Sequence, residues 1–232
     1  MRGILLDIEG TTTPIQFVYD VLFPYARRHL RPFIKNDLGR PGAAADLKLL
    51  KEEYSADIGH GLAPPADLAE YCAWLMDRDR KSTALKSIQG KIWAAGYEAG
   101  ELRGEVFPDV APAFTKWFHL GLDVRIFSSG SVLAQKLLFR NTSEGDLTGF
   151  LRGYFDTGTG PKTSAESYGR IASEMHLEVG DVVFVSDVVA ELDSAQTAGM
   201  KVALCRRPGN RPQPDRPYMS INTLHSLDAL EF

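Results

Sequence analysis

The hydrophobic positions predict one strand followed by a long helical block. A strand is predicted over residues 3–8, where the apolar residues do not alternate with polar ones, as is typical of a strand buried on both faces, and where the acid Asp7 marks the end of the run. From Phe17 onward the apolar residues recur about one helical turn apart, with breaks predicted at Pro24 and Pro32. Further helices are predicted over residues 43–58, 65–77 and 82–99. No strand is expected within this block.

From residue 107 the pattern alternates between strands and helices. Strands are predicted at residues 123–127, 182–185 and 201–205, with a short one near Tyr154 and Phe155. Helices are predicted at residues 110–120, 132–140, 163–176 and 189–198. Residues 206–217 contain four prolines and no periodicity, which predicts a loop. The alternation predicts an α/β fold with a Rossmann-like parallel sheet and right-handed crossovers.

Polar side chains follow three of the predicted strands. Asp7 and Glu9 come after the first strand, Ser128 and Ser129 after the second, and Asp187 after a later one. Alternation along an extended segment points Asp7 and Glu9 to the same side. Because parallel strands place their carboxyl ends at one edge of the sheet, these residues are expected to share a site there.

This set of side chains matches what the hydrolysis of a phosphate ester requires. The reaction needs a nucleophile, a hard cation to offset charge, donors for the phosphoryl oxygens and an acid for the leaving group. Carboxylates can serve as the nucleophile, as ligands of Mg²⁺ and as the acid, while hydroxyl and ammonium groups hold phosphate. The candidates for these roles are Asp7, Glu9, Ser128, Ser129, Lys162 and Asp187.

Each candidate also has a structural interpretation. Asp7 could be a turn residue, and Lys162 could be a solvated charge. Ser128 and Ser129 could cap the helix that follows them, and Asp187 could cap the next one. Their joint occurrence at successive strand ends favours the catalytic interpretation.

The remaining motifs are weaker. Glu191 lies one helical turn after Asp187, where it could orient a metal-bound water or interact with the helix dipole. Residues 158–163 are similar to a phosphate-binding P-loop, but Pro161 stands where that motif needs glycine. The two cysteines, Cys72 and Cys205, lack metal-ligand spacing and are expected to be reduced thiols in the core.

The motifs resemble a known family. Asp7-Ile8-Glu9-Gly10-Thr11-Thr12, together with Ser128-Ser129-Gly130, Lys162 and Asp187, resembles the haloacid dehalogenase superfamily of phosphohydrolases. The glutamate at the third position narrows the match to the enolase-phosphatase, or acireductone synthase, family of methionine salvage. The strings similar to that family are residues 6–15 (LDIEGTTTPI), 127–132, 134–139, 154–157 and 207–210. The resemblance covers essentially the whole chain.

The resemblance implies a two-step reaction. The substrate would be 2,3-diketo-5-methylthiopentyl-1-phosphate, which is enolised and then hydrolysed to 1,2-dihydroxy-3-keto-5-methylthiopentene and phosphate. It also implies a haloacid dehalogenase-type core formed by residues 1–14 and 106–232, with residues 15–105 inserted as an all-helical cap. Two other interpretations stay open: a phosphatase of the same fold for another small ester, and a phospho-ligand binder without turnover.

The resemblance also assigns roles. It makes Asp7 the nucleophile that forms an aspartyl-phosphate and a Mg²⁺ ligand, with Asp187 as a second ligand. Glu9 would bind the metal through its backbone carbonyl and act as acid or base through its side chain. Ser128 and Ser129 would bind substrate, and Lys162 would hold the phosphate. The residue that removes the enolisation proton is left open between Glu9 and a cap residue.

Charge and composition exclude some partners. The 232 residues carry a net charge of −4, which argues against nucleic acid as the main partner. The first apolar run is too short for a membrane span or a signal peptide. A soluble, cytoplasmic monomer that acts on a small phosphorylated diketone is therefore expected, without a membrane partner.

Overall fold

The structure is a computed structural model that describes residues 2–36 and 43–229. The chain divides into two compact units. The first is discontinuous and contains Met1–Val18 with Arg103–Phe232, and the second is Tyr19–Leu102. The second unit starts and ends a few residues inside the predicted insertion, residues 15–105.

The first unit is built on a parallel sheet of six strands in the order β3-β2-β1-β4-β5-β6. The strands are β1 (Gly3–Leu6), β2 (Asp123–Phe127), β3 (Gly153–Phe155), β4 (Val182–Ser186), β5 (Lys201–Cys205) and β6 (Met219–Ile221). The predicted parallel sheet is confirmed, but β6 is an additional strand that the sequence did not predict. Its three residues are mostly accessible and follow a proline-rich loop, so they show no apolar run.

The described residues contain eight α-helices, four in each unit. They are α1 (Phe23–Asn36), α2 (Ala43–Gly59), α3 (Leu68–Asp77), α4 (Thr83–Glu98), α5 (Val110–His119), α6 (Val132–Arg140), α7 (Ala165–Glu174) and α8 (Val189–Ala198). A π-helical segment, Phe17–Leu22, precedes α1, and short 3-10 segments occur at Thr148–Phe150, Val179–Asp181 and Leu224–Ala229. None of the helices described is long and apolar enough to cross a membrane.

The predicted breaks at Pro24 and Pro32 are wrong. Pro24 lies in the first turn of α1, directly after the π-helical segment Phe17–Leu22, so the chain is helical on both sides of it. Pro32 lies inside the helix, which continues to Asn36. We attribute this continuity to burial of the preceding apolar face, which includes Tyr25 and Leu30 and outweighs the lost hydrogen bond.

The register of the sheet brings the predicted site residues to one edge. Leu6, the last residue of β1, pairs with Ile126 of β2 on one side and Val185 of β4 on the other. Asp7 follows directly, and its backbone N–H donates to the Val185 carbonyl at 2.9 Å. A core beneath this edge packs α7 and α8 against the strands, with Tyr168, Phe127 and Phe184 fully buried.

Candidate active site

The topology places three of the predicted residues side by side. Asp7 follows the middle strand β1, Ser128 follows β2, and Asp187 follows β4. All three are buried, with 4–5 % of each residue exposed. The sheet therefore holds two carboxylates and a hydroxyl at its carboxyl edge, largely screened from bulk water.

Lys162 joins two carboxylates at this edge. Its Nζ lies 2.6 Å from Asp7 Oδ1 and 2.6 Å from Glu191 Oε2. Burial alone would lower the pKa of this ammonium, but its attraction to Asp7 and Glu191 outweighs burial and raises the pKa. The Tyr168 hydroxyl donates to the Lys162 carbonyl at 2.7 Å and so fixes the backbone beneath the ammonium. Lys162 is thus a buried, charged and oriented donor.

Glu191 orients Lys162 from the first turn of α8. Its carboxylate accepts a hydrogen bond from the Ser186 hydroxyl at 2.9 Å in addition to the contact with Lys162. The Ser186 hydroxyl in turn accepts from the Val188 N–H at 3.1 Å. Burial and then repulsion from Asp7 raise the pKa of Glu191, against the opposing effect of Lys162. The carboxylate is therefore engaged by a cation and a hydroxyl of the protein, and not only by the helix dipole.

Asp187 lies in a strongly acidic environment. Burial, followed by repulsion from Asp7 and Glu191, raises its pKa to about 7. One ammonium thus faces three neighbouring carboxylates, and the excess negative charge would be offset by a bound cation.

The donor set suits Mg²⁺. Among the residues described, no group of three or more His, Cys, Asp or Glu side chains is arranged to hold a metal. Mg²⁺ in proteins is held by one or two carboxylates together with water and substrate oxygens. Asp7 and Asp187 are the two carboxylates available at the sheet edge for such an ion.

Gly10 lets the chain turn directly beside Asp187. Its φ is +69°, and a Cβ at this position would lie 2.5 Å from Asp187 Oδ2 and 2.7 Å from Asn210 Oδ1. Asn210 fixes the turn, because its Nδ2 donates to the Gly10 carbonyl at 3.0 Å and to the Cys205 carbonyl at 3.2 Å. Only glycine satisfies both the conformation and the contact.

Asn210 and Ser186 are site residues that the sequence reasoning did not select. Asn210 ends the string of residues 207–210 that resembles the enolase-phosphatase family, which was the available indication of its importance. Ser186 stands at the end of β4, directly before Asp187, and its contact with Glu191 depends on a turn of backbone that no pattern of residues specifies.

The predicted serines and Glu9 differ in exposure. Ser128 is buried and its hydroxyl accepts from the Gly130 N–H at 3.2 Å, whereas Ser129 is exposed. The cap of α6 is Ser131, which accepts from the Ala134 N–H, so neither predicted serine is needed for that role. Glu9 is half-buried and belongs to a backbone bridge with Thr13.

Asp187 does not cap α8 either. The helix begins after Val188 without a side-chain cap from its own N-terminus, and the Val189 N–H donates instead to Gln213 Oε1 at 3.0 Å. This removes the structural interpretation of Asp187 as a helix cap. Its carboxylate is left for the site at the sheet edge.

A buried ion pair anchors the loop that carries Asn210. Arg207 Nη2 donates to Asp109 Oδ2 at 2.9 Å, and its Nε donates to the Thr11 carbonyl at 3.2 Å. Asp109 also accepts from the Thr223 hydroxyl and the Leu224 N–H, at 2.9 and 2.6 Å. Although burial opposes it, hydrogen bonding to Arg207 lowers the pKa of Asp109. The loop is thereby tied to the segment that follows the nucleophile candidate.

Comparison with known proteins identifies the family. The model of the haloacid dehalogenase-like hydrolases matches residues 1–199. A protein of Synechococcus elongatus named Enolase-phosphatase E1 is 49% identical over 98% of this chain and 96% of its own length. The chain belongs to the haloacid dehalogenase-like hydrolases, and within them to the enolase-phosphatase E1 family. A second relative of that name, from Sorangium cellulosum, is 47% identical to the hydrolase over 90% of this chain and 89% of its own.

Solved structures agree with the fold. The crystal structure of the UTR4 protein of Saccharomyces cerevisiae matches the hydrolase with a TM-score of 0.79 and 33% identity, covering 96% of this chain and 97% of the other. A haloacid dehalogenase phosphatase from Thermococcus onnurineus matches with a TM-score of 0.60 at 19% identity, covering 99% and 97%. The second likeness concerns the fold alone, and it confirms the predicted architecture.

Proposed function

We propose that the hydrolase is a bifunctional enolase-phosphatase. It converts 2,3-diketo-5-methylthiopentyl-1-phosphate to 1,2-dihydroxy-3-keto-5-methylthiopentene and phosphate. The substrate assignment rests on relatives named Enolase-phosphatase E1 at 43–49% identity over most of the chain. The phosphatase chemistry rests on one observation above all: a buried Lys162 ammonium lies 2.6 Å from the Asp7 carboxylate at the edge of a parallel sheet.

In this proposal Asp7 attacks phosphorus. Its carboxylate oxygen forms a bond to phosphorus while the bond to the ester oxygen breaks, and water later hydrolyses the aspartyl-phosphate. Lys162 donates to the phosphoryl oxygens, and Glu191 keeps the ammonium charged and in place. Ser128 and Ser129 bind substrate.

Magnesium has a defined place in the proposal. Asp7, Asp187 and the backbone carbonyl of Glu9 would hold Mg²⁺, which supplies charge neutralisation for the phosphoryl group and Lewis-acid polarisation of a substrate carbonyl. The high pKa of Asp187 supports this assignment, because a carboxyl group surrounded by other carboxylates needs a cation to stay ionised at neutral pH.

Glu9 completes the chemistry. Its side chain is proposed to exchange protons with the leaving group or with the diketone during enolisation.

The helical unit Tyr19–Leu102 is proposed to act as a cap that supplies contacts to the methylthio group and limits access of water. We further propose that the hydrolase works as a cytoplasmic monomer.

The deciding experiment is turnover of the diketo phosphate, in which the ultraviolet absorbance of the enediol and the release of free phosphate are measured in the same reaction. With Mg²⁺ present, both products are expected. After Mg²⁺ is removed by a chelator, neither product is expected. Asp7→Asn is expected to release no phosphate, and substantial release by this variant would exclude the covalent route.

Two other functions give different results in the same assay. A phosphatase for another small ester would leave the diketo phosphate unchanged and release phosphate from a different member of an ester panel. A binder without turnover would retain esters and release phosphate from none of them. Both alternatives use the same sheet edge, so the substrate panel is what separates them.

A further inference from the structure

Two buried side chains of α7 hold the loop that carries Lys162. The Ser167 hydroxyl donates to the Pro161 carbonyl at 2.8 Å, and the Tyr168 hydroxyl donates to the Lys162 carbonyl at 2.7 Å. Both donor residues are fully buried. Because a hydrogen bond is stronger away from water, these two contacts fix the main chain at Lys162 and at the residue before it.

The loop is shaped to receive these contacts. Gly160 has a φ of +145°, and a Cβ on it would overlap the Ser167 hydroxyl, so the close approach requires glycine. On the exposed side, Arg170 Nη1 donates to the Thr159 carbonyl at 2.9 Å. Residues 159–162 are thus matched to the first two turns of α7 in conformation as well as in hydrogen bonding.

Tyr168 also supports the far end of the lysine side chain. Lys162 Nζ lies over two aromatic rings, 5.8 Å from the centre of Phe127 and 5.9 Å from that of Phe184. An ammonium within about 6 Å of a ring centre is attracted to the face of the ring. The Tyr168 ring packs against both, with its centre 5.6 Å from that of Phe127 and 5.0 Å from that of Phe184. One side chain therefore restrains the backbone of Lys162 and the rings beside its ammonium.

We propose that Ser167 and Tyr168 are positioning residues for phosphate binding by Lys162. They act through the loop backbone and, in the case of Tyr168, through the neighbouring rings. A lysine side chain loses much conformational entropy when it is ordered. Ordering Lys162 before the phosphate arrives therefore raises the affinity for phosphate. This inference rests on the proposed function, in which Lys162 holds the phosphoryl group, and extends it to residues of α7.

Two substitutions remove the hydroxyl groups one at a time. Tyr168→Phe keeps the aromatic ring, and Ser167→Ala leaves the helix intact. Titration calorimetry with inorganic phosphate in the presence of Mg²⁺ measures the dissociation constant, and turnover of the diketo phosphate measures kcat/KM. Each substitution is expected to raise the dissociation constant about fivefold, because phosphate must then supply the order that one hydrogen bond supplied before. The value of kcat/KM is expected to fall by at least the same factor.

Tyr71→Phe is the matched control. Tyr71 is also buried, and its hydroxyl donates to Asp57 at 2.8 Å inside the helical unit Tyr19–Leu102, so the variant loses a similar bond far along the chain from the Lys162 loop. It is expected to lower the melting temperature and to leave phosphate affinity unchanged. If Tyr168→Phe and Ser167→Ala behave in the same way, their role is only structural and the proposal is overturned.

The other outcomes are equally decisive. Unchanged phosphate affinity and unchanged melting temperature in both variants overturn the proposal, and a loss of affinity in only one variant overturns the role of the other residue. Thermal unfolding checks that each variant is folded. If Tyr168→Phe does not fold, Ser167→Ala tests the hold on the loop by itself.

Failure of this proposal is distinguishable from failure of the proposed function. Wild type that neither binds phosphate nor turns over the diketo phosphate refutes the proposed function. Wild type that does both, while the α7 variants keep its phosphate affinity, refutes only the positioning role. The phosphate titration is independent of the identity of the ester, so it decides the role of Ser167 and Tyr168 for any phosphate ester that the hydrolase uses.

Discussion

Replacing Asp187 by asparagine is expected to make the metal-free protein more stable at neutral and alkaline pH. The pKa of Asp187 is about 7 in the folded protein and 3.8 in an ordinary environment. The folded state therefore binds this proton more tightly than the unfolded state does. The associated stability is fully present below about pH 4 and is lost as the pH rises through 7.

The size of the effect follows from these two pKa values. Each pH unit between them is equivalent to about 1.4 kcal/mol, so the whole titration changes the free energy of unfolding by about 4 kcal/mol. Roughly 2.5 kcal/mol of this change falls between pH 5 and pH 8. Asparagine does not titrate. The free energy of unfolding of Asp187→Asn, relative to that of wild type, should therefore increase by roughly 2.5 kcal/mol between pH 5 and pH 8.

Urea unfolding at several pH values in the presence of a chelator measures this difference. Using the difference between the two proteins cancels the titration of groups elsewhere in the chain. Glu166→Gln, which changes a carboxylate whose side chain is 83% exposed, is the matched control and should give a profile parallel to that of wild type. Parallel profiles for wild type and Asp187→Asn would refute the argument. Added Mg²⁺ should stabilise wild type at pH 8 and have little effect on the variant.

Three further substitutions test other contacts. Lys162→Met leaves two buried carboxylates without their shared cation, so urea unfolding at pH 7 should show a loss of about 3–5 kcal/mol; an unchanged midpoint would show that the ion pairs contribute nothing. Gly10→Ala should lower the melting temperature and the Mg²⁺ affinity, whereas Gly121→Ala, with a similar φ of +72° but open space around it, should affect only the melting temperature. Glu9→Asp should retain Mg²⁺ binding and lose enolisation, phosphate release or both, and unchanged kinetics for both steps would exclude a side-chain role.

The sequence predicts the central elements well because their patterns are strong. The bounds of β2, α6, α8 and β5 agree with the prediction to the residue. Turn and capping residues mark their ends, such as Ser131 before α6 and Gly199 after α8. Parallel strands bring their ends to one edge, and this alone places Asp7 beside Ser128 and Asp187. Their catalytic roles stay predictions until the variants are measured.

Other features depend on contacts that no local pattern reveals. Lys162 reaches Asp7 across 155 positions of sequence. The chemistry of phosphate binding and the family resemblance both made it a candidate donor, but no local pattern predicted its contact with Asp7. The bridge from Lys162 to Glu191 depends on the side-chain conformations chosen in the folded core. Pro32 shows the reverse error, because a local rule predicted a break where tertiary burial keeps the helix continuous.

The position of β1 in the sheet has a consequence for synthesis on the ribosome. The first strand of the chain is paired on one side with β2 and on the other with β4, which begins at Val182. A nascent chain that ends before Val182 therefore exposes an edge of β1, a strand whose four residues are all fully apolar or glycine and buried in the complete fold. The helical unit Tyr19–Leu102 emerges whole long before that edge is covered. Premature termination in this interval would release a chain prone to aggregation, and the active site would form only after β4 and Asp187 have been synthesised.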